Sequence, residues 1–258
     1  RVLGEREASL EEEREFYGPK ENLPLEGERL LINDPYFAYI KIAEGCSNCC
    51  TYCAIPSIRG PLRSRPIESV VAEAEGLAHD GVKELIVIAQ DTTRYGEDLY
   101  GEPRLCELLR RLDGIDGLRW IRLMYAYPDH VSEELLDTMA SCRKVLPYLD
   151  LPIQHCNSDI LRSMNRKGSR AELEEIIALI RRKLPGVTLR TTLIVGFPGE
   201  TEAQFEELCE FVKAMKFERL GCFAFSPEEG TPAAAMKEQI PQDERLRRQD
   251  IVMREQAA

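Results

Sequence analysis

The sequence predicts an α/β fold built on a parallel β-sheet, and two observations lead to this class. Six short apolar runs with the character of buried strands recur along the chain. Most of them are followed by a segment in which apolar residues repeat with the 3.6-residue period of a helix. This alternation is typical of right-handed β–α units, in which successive strands lie parallel.

The first three units are read from residue 37 onward. The predicted strands are FAYIKIA (37–43), ELIVIAQ (84–90) and RWIRLMY (119–125). The helices that follow them are predicted at Ile67–His79, Leu105–Leu112 and Ser132–Cys142. Gly81 is a suitable C-terminal stop for the first of these helices, and Ser132 is a suitable N-cap for the third.

The last three units complete the predicted sheet. Their strands are YLDLPIQ (148–154), TLRTTLIVG (188–196) and RLGCFAF (219–225), with helices at Arg170–Leu184 and Thr201–Met215. Thr201 is a suitable N-cap. Six units form either a doubly wound sheet or a partial barrel, and the spacing does not distinguish the two. In both folds we expect the chemistry at the carboxyl ends of the strands.

The ends of the chain differ from this pattern. Residues 1–33 are dominated by charge and then by turn residues, so we expect a linker remnant there from a preceding domain. We expect the catalytic core at 34–235 and a helix and linker at 236–258 that lead toward a further domain. The chain is therefore expected to be part of a longer protein.

Composition narrows the class of protein. Hydrophobic residues make up 43% and charged residues 31%, which is ordinary for a soluble globular domain. No apolar run approaches the roughly 20 residues that span a bilayer, and no signal peptide is evident, so we expect a cytoplasmic protein without a membrane partner. The net charge of −11 argues against nucleic acid as the main partner and favours a basic protein.

Four of the nine cysteines fall within the segment CSNCCTYC, directly after the first predicted strand. Taken as C-x3-C-x2-C, Cys46, Cys50 and Cys53 supply three thiolates in one loop. Three thiolates can hold three irons of a 4Fe–4S cluster and leave the fourth iron open to a substrate or cofactor. The other five cysteines are predicted to be buried apolar residues.

Two alternatives to the cluster remain open at this point. The same segment also contains two adjoining C-x2-C pairs, Cys46/Cys49 and Cys50/Cys53, as in a zinc-binding module without catalytic activity. Structural zinc sites usually separate such pairs by roughly a dozen residues or more, whereas here they adjoin. Free thiols are the other alternative, but four of them in a loop would be prone to oxidation.

The cysteine motif, with Tyr52 just before the last cysteine, resembles that of the radical S-adenosylmethionine (SAM) superfamily. YIKIAEGC, CAIPSIRGPLRSRP, VKELIVIAQDTTRYG, LPIQHCNSDILRSMNRKG, RTTLIVGFPGETE and FAFSPEEGTPAA resemble its methylthiotransferase branch and cover residues 36 to about 235. The resemblance implies a partial (β/α)6, TIM-like barrel. It also implies a site-differentiated 4Fe–4S cluster whose open iron binds SAM, and cleavage of SAM to a 5′-deoxyadenosyl radical that abstracts hydrogen.

Within that branch, Gln90-Asp91-Thr92-Thr93 and Gln154-His155 resemble the RimO type, which methylthiolates the β-carbon of an aspartate on a small-ribosomal-subunit protein. Transfer RNA methylthiotransferases typically carry Gln-Asn-Val and Gln-Ser-Gly there, and transfer RNA methylthiolation is the alternative activity. Relatives also have an N-terminal domain with a second 4Fe–4S cluster and a C-terminal TRAM domain, which we expect to lie outside this chain. An electron donor such as flavodoxin or ferredoxin is implied as a partner.

The predicted SAM contacts are mostly strand-end residues, because barrel sites occupy this face. They are Tyr52, Gln90, Asp91, Thr92, Gln154, His155, Arg190, Gly196 and Phe197. Structural roles remain open for several of them: Asp91 or Thr92 as a turn cap, His155 as a core residue and Arg190 in a structural ion pair. No general acid or base stands out, since a radical cofactor performs the difficult chemistry itself.

Overall fold

A computed structural model describes Leu25, Gly27 and residues 34–257 of the chain. Its centre is a six-stranded sheet made of β1 (Phe37–Lys41), β4 (Glu84–Ile88), β5 (Trp120–Leu123), β6 (Val145–Asp150), β7 (Thr188–Val195) and β8 (Arg219–Ala224). All neighbouring strands in this sheet pair in parallel. Two further strands, β2 (Ala43–Glu44) and β3 (Arg63–Ser64), form a short antiparallel ribbon beside the cysteine loop.

The strand order decides between the two predicted architectures. It runs β1-β4-β5-β6-β7-β8, which is the order of the chain without a reversal. A doubly wound sheet reverses its order at a switch point, so that its helices cover both faces. Here every right-handed crossover advances in the same direction, which places the helices on one face. β1 and β8 do not pair with each other within the described residues. The prediction of a partial, TIM-like barrel is therefore confirmed.

The described helices are α1 (Ile55–Arg59), α2 (Ile67–His79), α3 (Glu97–Tyr100), α4 (Leu105–Asp113), α5 (Glu133–Ser141), α6 (Ser158–Ser163), α7 (Arg170–Lys183), α8 (Glu202–Met215) and α9 (Gln242–Ala257). The five helices predicted between strands agree with these within about one residue. Ser132 caps α5 by accepting from the Leu135 amide, and Thr201 forms a reciprocal capping box with Gln204. The short helices α1, α3 and α6 were not predicted.

The strands are buried on one face only, although the apolar runs indicated strands that are fully buried. In β7, Leu189, Leu193 and Val195 pack toward the helices, while alternate residues lie on the concave face of the sheet. On that face Trp120 is 48% exposed and Tyr39 is 50% exposed. The concave face of the open barrel is therefore accessible, because the main core lies between the sheet and its helices.

The fourth strand differs from its predicted position. We predicted 148–154, but β6 ends at Asp150, and beyond it Gln154 makes only an isolated bridge to Leu193. Two features end the strand. Pro152 has no N–H to give to the ladder, and Gln154 has a φ of 69°, which extended backbone does not allow. Gln154 and His155 therefore lie in a loop beyond β6.

The chain ends fall partly outside the described residues. Of the predicted linker at 1–33, only Leu25 and Gly27 are described. Toward the other end, α9 packs on β8 and α8 and buries Val252 and Arg248. Among the helices described, none is both long and apolar enough to cross a membrane.

Candidate functional site

The cysteine loop begins after Gly45, whose backbone lies against the turn at Gly60 and Pro61. Gly45 has a φ of +77°, and a Cβ there would lie 2.1 Å from the Pro61 carbonyl oxygen. The Cys46 amide donates to the Gly60 carbonyl oxygen at 3.1 Å, which holds the start of the loop against that turn. Only glycine allows so close an approach of the two backbone segments.

The three predicted cluster ligands line one cavity of about 460 Å³ at the carboxyl ends of the strands. This volume is typical of small-molecule sites. The remaining wall is formed by Lys41, Asn48, Tyr52, Ile55, Ile88, Ala89, Gln90, Tyr125, Tyr127, Pro152, Gln154, Arg166 and Thr192. Cys49, the fourth cysteine of the segment, is exposed and is not part of this wall.

Three thiols in one loop are the donor set that a 4Fe–4S cluster with one open iron requires. Within the described residues, no group of three or more His, Cys, Asp or Glu side chains converges on a point that one metal ion could occupy. Burial raises the pKa of the Cys46 and Cys53 thiols, so ligation there would release protons.

Two carboxamide oxygens in the cavity wall lack hydrogen-bond partners. Oε1 of Gln90 and Oε1 of Gln154 are both buried, and neither accepts a hydrogen bond. Most buried polar atoms in proteins are satisfied, so these two acceptors can take hydrogen bonds from a molecule bound in the cavity.

The segment after α6 fastens the cysteine loop. The Thr51 amide donates to the Met164 carbonyl oxygen at 3.1 Å, and the Thr51 hydroxyl donates to the Ser163 carbonyl oxygen at 2.8 Å. The Asn165 side-chain amide donates to the Cys49 carbonyl oxygen at 3.0 Å. Backbone groups of the loop are thereby satisfied by a segment more than 100 residues away.

Two side chains beside Cys50, those of Tyr127 and Arg166, are not among the residues predicted from the sequence. The Tyr127 hydroxyl lies 3.4 Å from the Cys50 sulfur, and Nη1 of Arg166 lies 4.0 Å from the same sulfur. The Arg166 guanidinium stacks 3.9 Å from the centre of the Tyr127 ring. Arg166 lies in the segment LPIQHCNSDILRSMNRKG. No local sequence pattern predicts its role, because only the fold brings it to Cys50.

Several predicted SAM contacts do not line the cavity. Asp91 accepts from the Asn48 side-chain amide at 2.8 Å and from the Thr93 amide at 3.0 Å, and Thr92 donates to the Met124 carbonyl oxygen at 2.8 Å. These bonds tie the loop after β4 to the cysteine loop and to β5. They match the structural role that remained open for both residues, and direct SAM contact by either stays a prediction.

His155 is fully buried beneath the site. Its Nδ1 accepts from the Asn157 amide at 2.9 Å, and its Nε2 lies 3.7 Å from Oε2 of Glu200. Burial lowers the pKa of His155 to about 3, so the imidazole is neutral near pH 7 and carries its proton on Nε2. The structure does not bring His155 to the cavity wall.

Arg190, Gly196 and Phe197 also lie off the cavity wall. Arg190 is on the concave face, 3.7 Å from the Asp150 carboxylate. The Gly196 and Phe197 amides donate to Oε2 of Glu200 at 2.9 and 3.4 Å. Phe197 packs edge-on against Phe225, in a cluster that also contacts Tyr52. Of the nine predicted SAM contacts, the wall therefore includes Tyr52, Gln90 and Gln154.

Replacing Gly45 with alanine should destabilise the cysteine loop. We expect the free energy of unfolding to fall by about 2–3 kcal/mol, because the added Cβ meets backbone atoms and the φ is left-handed. Gly76→Ala in α2 is the matched control: a Cβ there meets nothing within 4 Å, and alanine should raise stability by about 0.5–1 kcal/mol. Urea unfolding of both variants tests this, and equal stabilities would contradict it.

Comparison with known proteins is consistent with this site. The family model of the Radical SAM superfamily matches residues 40–212. A ribosomal protein uS12 methylthiotransferase RimO of Pelotomaculum thermopropionicum is 52% identical over 225 residues, 87% of this chain and 51% of that protein. RimO of Trichlorobacter lovleyi is 51% identical over 237 residues, 92% of this chain and 52% of that protein. The chain thus spans about half the length of these relatives.

Solved structures share the fold at low sequence identity. A radical S-adenosylmethionine methyltransferase, TsrM of Kitasatospora setae, solved with cobalamin and a 4Fe–4S cluster, superposes with a TM-score of 0.62 at 19% identity. The match covers 76% of this chain and 38% of TsrM. SuiB of Streptococcus suis, bound to S-adenosylmethionine, gives 0.57 at 14% identity and covers 85% of this chain and 47% of SuiB. At these identities the likeness concerns the fold alone.

Proposed function

The chain belongs to the radical SAM superfamily, and from this premise we propose that it is the core of a methylthiotransferase that binds a 4Fe–4S cluster and SAM in the cavity at the strand ends. Cys46, Cys50 and Cys53 would hold the cluster. When bound, a cluster with an open iron supplies the electron that cleaves SAM to methionine and a 5′-deoxyadenosyl radical. That radical abstracts hydrogen from the substrate.

The observation that carries this proposal is the position of three thiols and two orphaned acceptors on one cavity. Cys46, Cys50 and Cys53 line the same cavity as Gln90 and Gln154, whose side-chain oxygens have no hydrogen-bond partner. SAM has an ammonium group and ribose hydroxyls, which are the donors that these oxygens lack. The residues present therefore fit both groups.

The rest of the wall would position SAM and keep water away from the reaction. Ile88, Ala89, Tyr125 and Pro152 give the cavity an apolar lining, which suits the task of protecting a reactive radical. Tyr52 packs against the cluster of apolar residues around Phe197 and would present its ring beside the adenine.

The proposed substrate is a basic protein of the small ribosomal subunit. The RimO relatives are named for uS12, and the net charge of −11 suits a basic partner. We further propose that hydrogen is abstracted from the β-carbon of an aspartate, in the cytoplasm. Transfer RNA methylthiolation is the alternative outcome of a product assay.

The remaining partners follow from the chemistry. One electron must enter for each SAM cleaved, which calls for a donor such as flavodoxin or ferredoxin. Methylthio transfer also requires a sulfur source, which we assign to a second 4Fe–4S cluster carried by a domain outside this chain. We accordingly propose SAM cleavage for this chain alone and complete methylthiolation only together with that domain.

The test is anaerobic reconstitution with iron and sulfide, followed by SAM and dithionite. We expect a brown protein with about four irons per chain that forms 5′-deoxyadenosine. A colourless protein with one tightly bound zinc and no cleavage would refute the proposal in favour of the zinc-binding module.

The orphaned acceptors give a second test of SAM binding. Gln90→Met keeps the size of the side chain but removes the acceptor, so we expect the Kd of SAM to rise about tenfold, the value of a hydrogen bond to a charged group. The unloaded chain loses a buried unsatisfied oxygen but also the hydrogen bond from Gln90 Nε2 to Glu44 at 3.4 Å, so we expect little change in its stability. Equilibrium dialysis and urea unfolding measure the two effects. Gln242→Met, at the exposed start of α9, is the control, and an unchanged Kd in Gln90→Met would contradict the assignment.

A further inference from the structure

Arg166 is a buried cation without a nearby carboxylate. Arg166 is only 7% exposed. Among the described residues, no carboxylate lies within 4.0 Å of its guanidinium. Asp129 interacts with its charge only from beyond that distance. A charged group taken out of water is costly unless a partner of opposite charge compensates it.

The contacts of Arg166 show which group can supply that charge. Nη2 donates to the Pro152 carbonyl oxygen at 2.8 Å, and the guanidinium stacks on Tyr127. Nη1 lies 3.5 Å from the Tyr52 hydroxyl and 4.0 Å from the Cys50 sulfur. Of these partners, only Cys50 would carry a full negative charge, as the thiolate ligand of a bound cluster.

Tyr127 adds a second interaction to the same sulfur. Its hydroxyl lies 3.4 Å from the Cys50 sulfur and its ring lies beneath the guanidinium, so the two side chains form one unit on the outer side of Cys50. Arg166 also lines a second cavity, beyond Tyr127, with Arg94, His130, Arg162 and Lys167. Tyr127 and Arg166 line both this cavity and the cluster cavity, and Asp129 is the one carboxylate among the residues that line the second cavity.

We propose that Arg166, together with Tyr127, positions Cys50 and raises the reduction potential of the cluster that Cys50 holds. The proposal rests on the cluster site proposed above. A cluster that accepts an electron becomes more negative, and a fixed buried cation stabilises that state more than the oxidised one. Charge and hydrogen bonds at the ligand sulfurs are among the main determinants of such potentials. Arg166 is accordingly a positioning residue that acts through Cys50 and makes the cluster easier for a donor to reduce.

The test is a redox titration of the reconstituted chain, followed by the electron paramagnetic resonance signal of the reduced cluster. In Arg166→Met we expect the equilibrium constant for one-electron reduction to fall about tenfold, which is about 59 mV. Arg166→Lys keeps the charge and should stay within about threefold of the parent chain. Tyr127→Phe removes the hydroxyl and should lower the constant about threefold, the value of one modest hydrogen bond.

Arg162→Met is the matched control, because Arg162 is 75% exposed and pairs with Asp159. Its potential should be that of the parent chain. A loaded Arg166→Met with the parental potential overturns the proposal, and so does an Arg166→Lys that shifts as far as Arg166→Met. If Arg166→Met binds no cluster, the other two variants decide. A parental reduction potential in Tyr127→Phe, together with a shifted reduction potential in Arg166→Lys, overturns the proposal. A parent chain that binds no cluster would instead refute the proposed function.

Discussion

Replacing Cys50 with alanine should abolish both cluster binding and SAM cleavage. Cys50 is one of three thiols on the cavity wall, and it alone contacts Tyr127 and Arg166. Without it only two thiolates remain, which leaves two irons of the cubane unprotected. We expect the iron content after reconstitution and desalting to fall close to zero, and 5′-deoxyadenosine formation to fall to the level without protein.

Cys49→Ala is the control that makes this result specific. Cys49 is the immediate neighbour of Cys50, yet it is exposed and absent from the cavity wall. Both substitutions remove one thiol from the same loop. If the number of thiols alone determined cluster binding, the two variants would lose the cluster to the same extent. We expect Cys49→Ala to retain about four irons and full cleavage. A loss of the cluster in Cys49→Ala as well would contradict the C-x3-C-x2-C assignment, because both Cys49 and Cys50 belong to the two C-x2-C pairs.

The parts of this fold that the sequence predicts are those whose signal is local. Apolar periodicity located five helices within about one residue, because each buries one stripe against the sheet. The cysteine motif is equally evident in the sequence, since its three predicted ligands lie within eight residues of one loop. The strand order is not predicted by local sequence patterns, because the spacing of strands and helices does not determine the direction in which each crossover advances.

The parts that were missed depend on contacts between distant segments. Arg166 reaches Cys50 across 116 positions, and Asn48 reaches Asp91 across 43. The helix that positions Arg166, α6, is only six residues long, too short for a periodic pattern to identify. His155 and Asp91 are predicted SAM contacts because they follow strands, and these contacts stay predictions. Strand ends, however, also carry the polar residues that fasten the loops to each other, and sequence alone does not separate the two roles.

Replacing Arg248 with methionine should cost about 3–5 kcal/mol of stability, which is the usual effect of breaking a buried ion pair. Nη1 of Arg248 donates to Oε1 of Glu200 at 2.7 Å, and both side chains are almost completely buried. Glu200 in turn accepts from the Gly196 and Phe197 amides. The pair therefore joins α9 to the loop after β7. Arg247→Met, its exposed neighbour on α9, should show no measurable change in urea unfolding.

The loss in Arg248→Met should also depend on pH, with a sign that identifies its cause. Burial raises the pKa of Glu200 above its ordinary value even with Arg248 beside it, and without the guanidinium that pKa should rise further. A folded state with the higher pKa keeps its proton while the unfolded state loses it, so stability falls as pH rises from the unfolded pKa through the folded pKa. The deficit of Arg248→Met should therefore be smaller at pH 5 than at pH 8.

The double variant Arg248→Met/Glu200→Gln is the control for this pH dependence. It lacks the Glu200 charge, so the pH dependence of the stability deficit should disappear. A deficit that is equal at both pH values would show that Arg248 acts by filling space rather than by compensating the Glu200 charge.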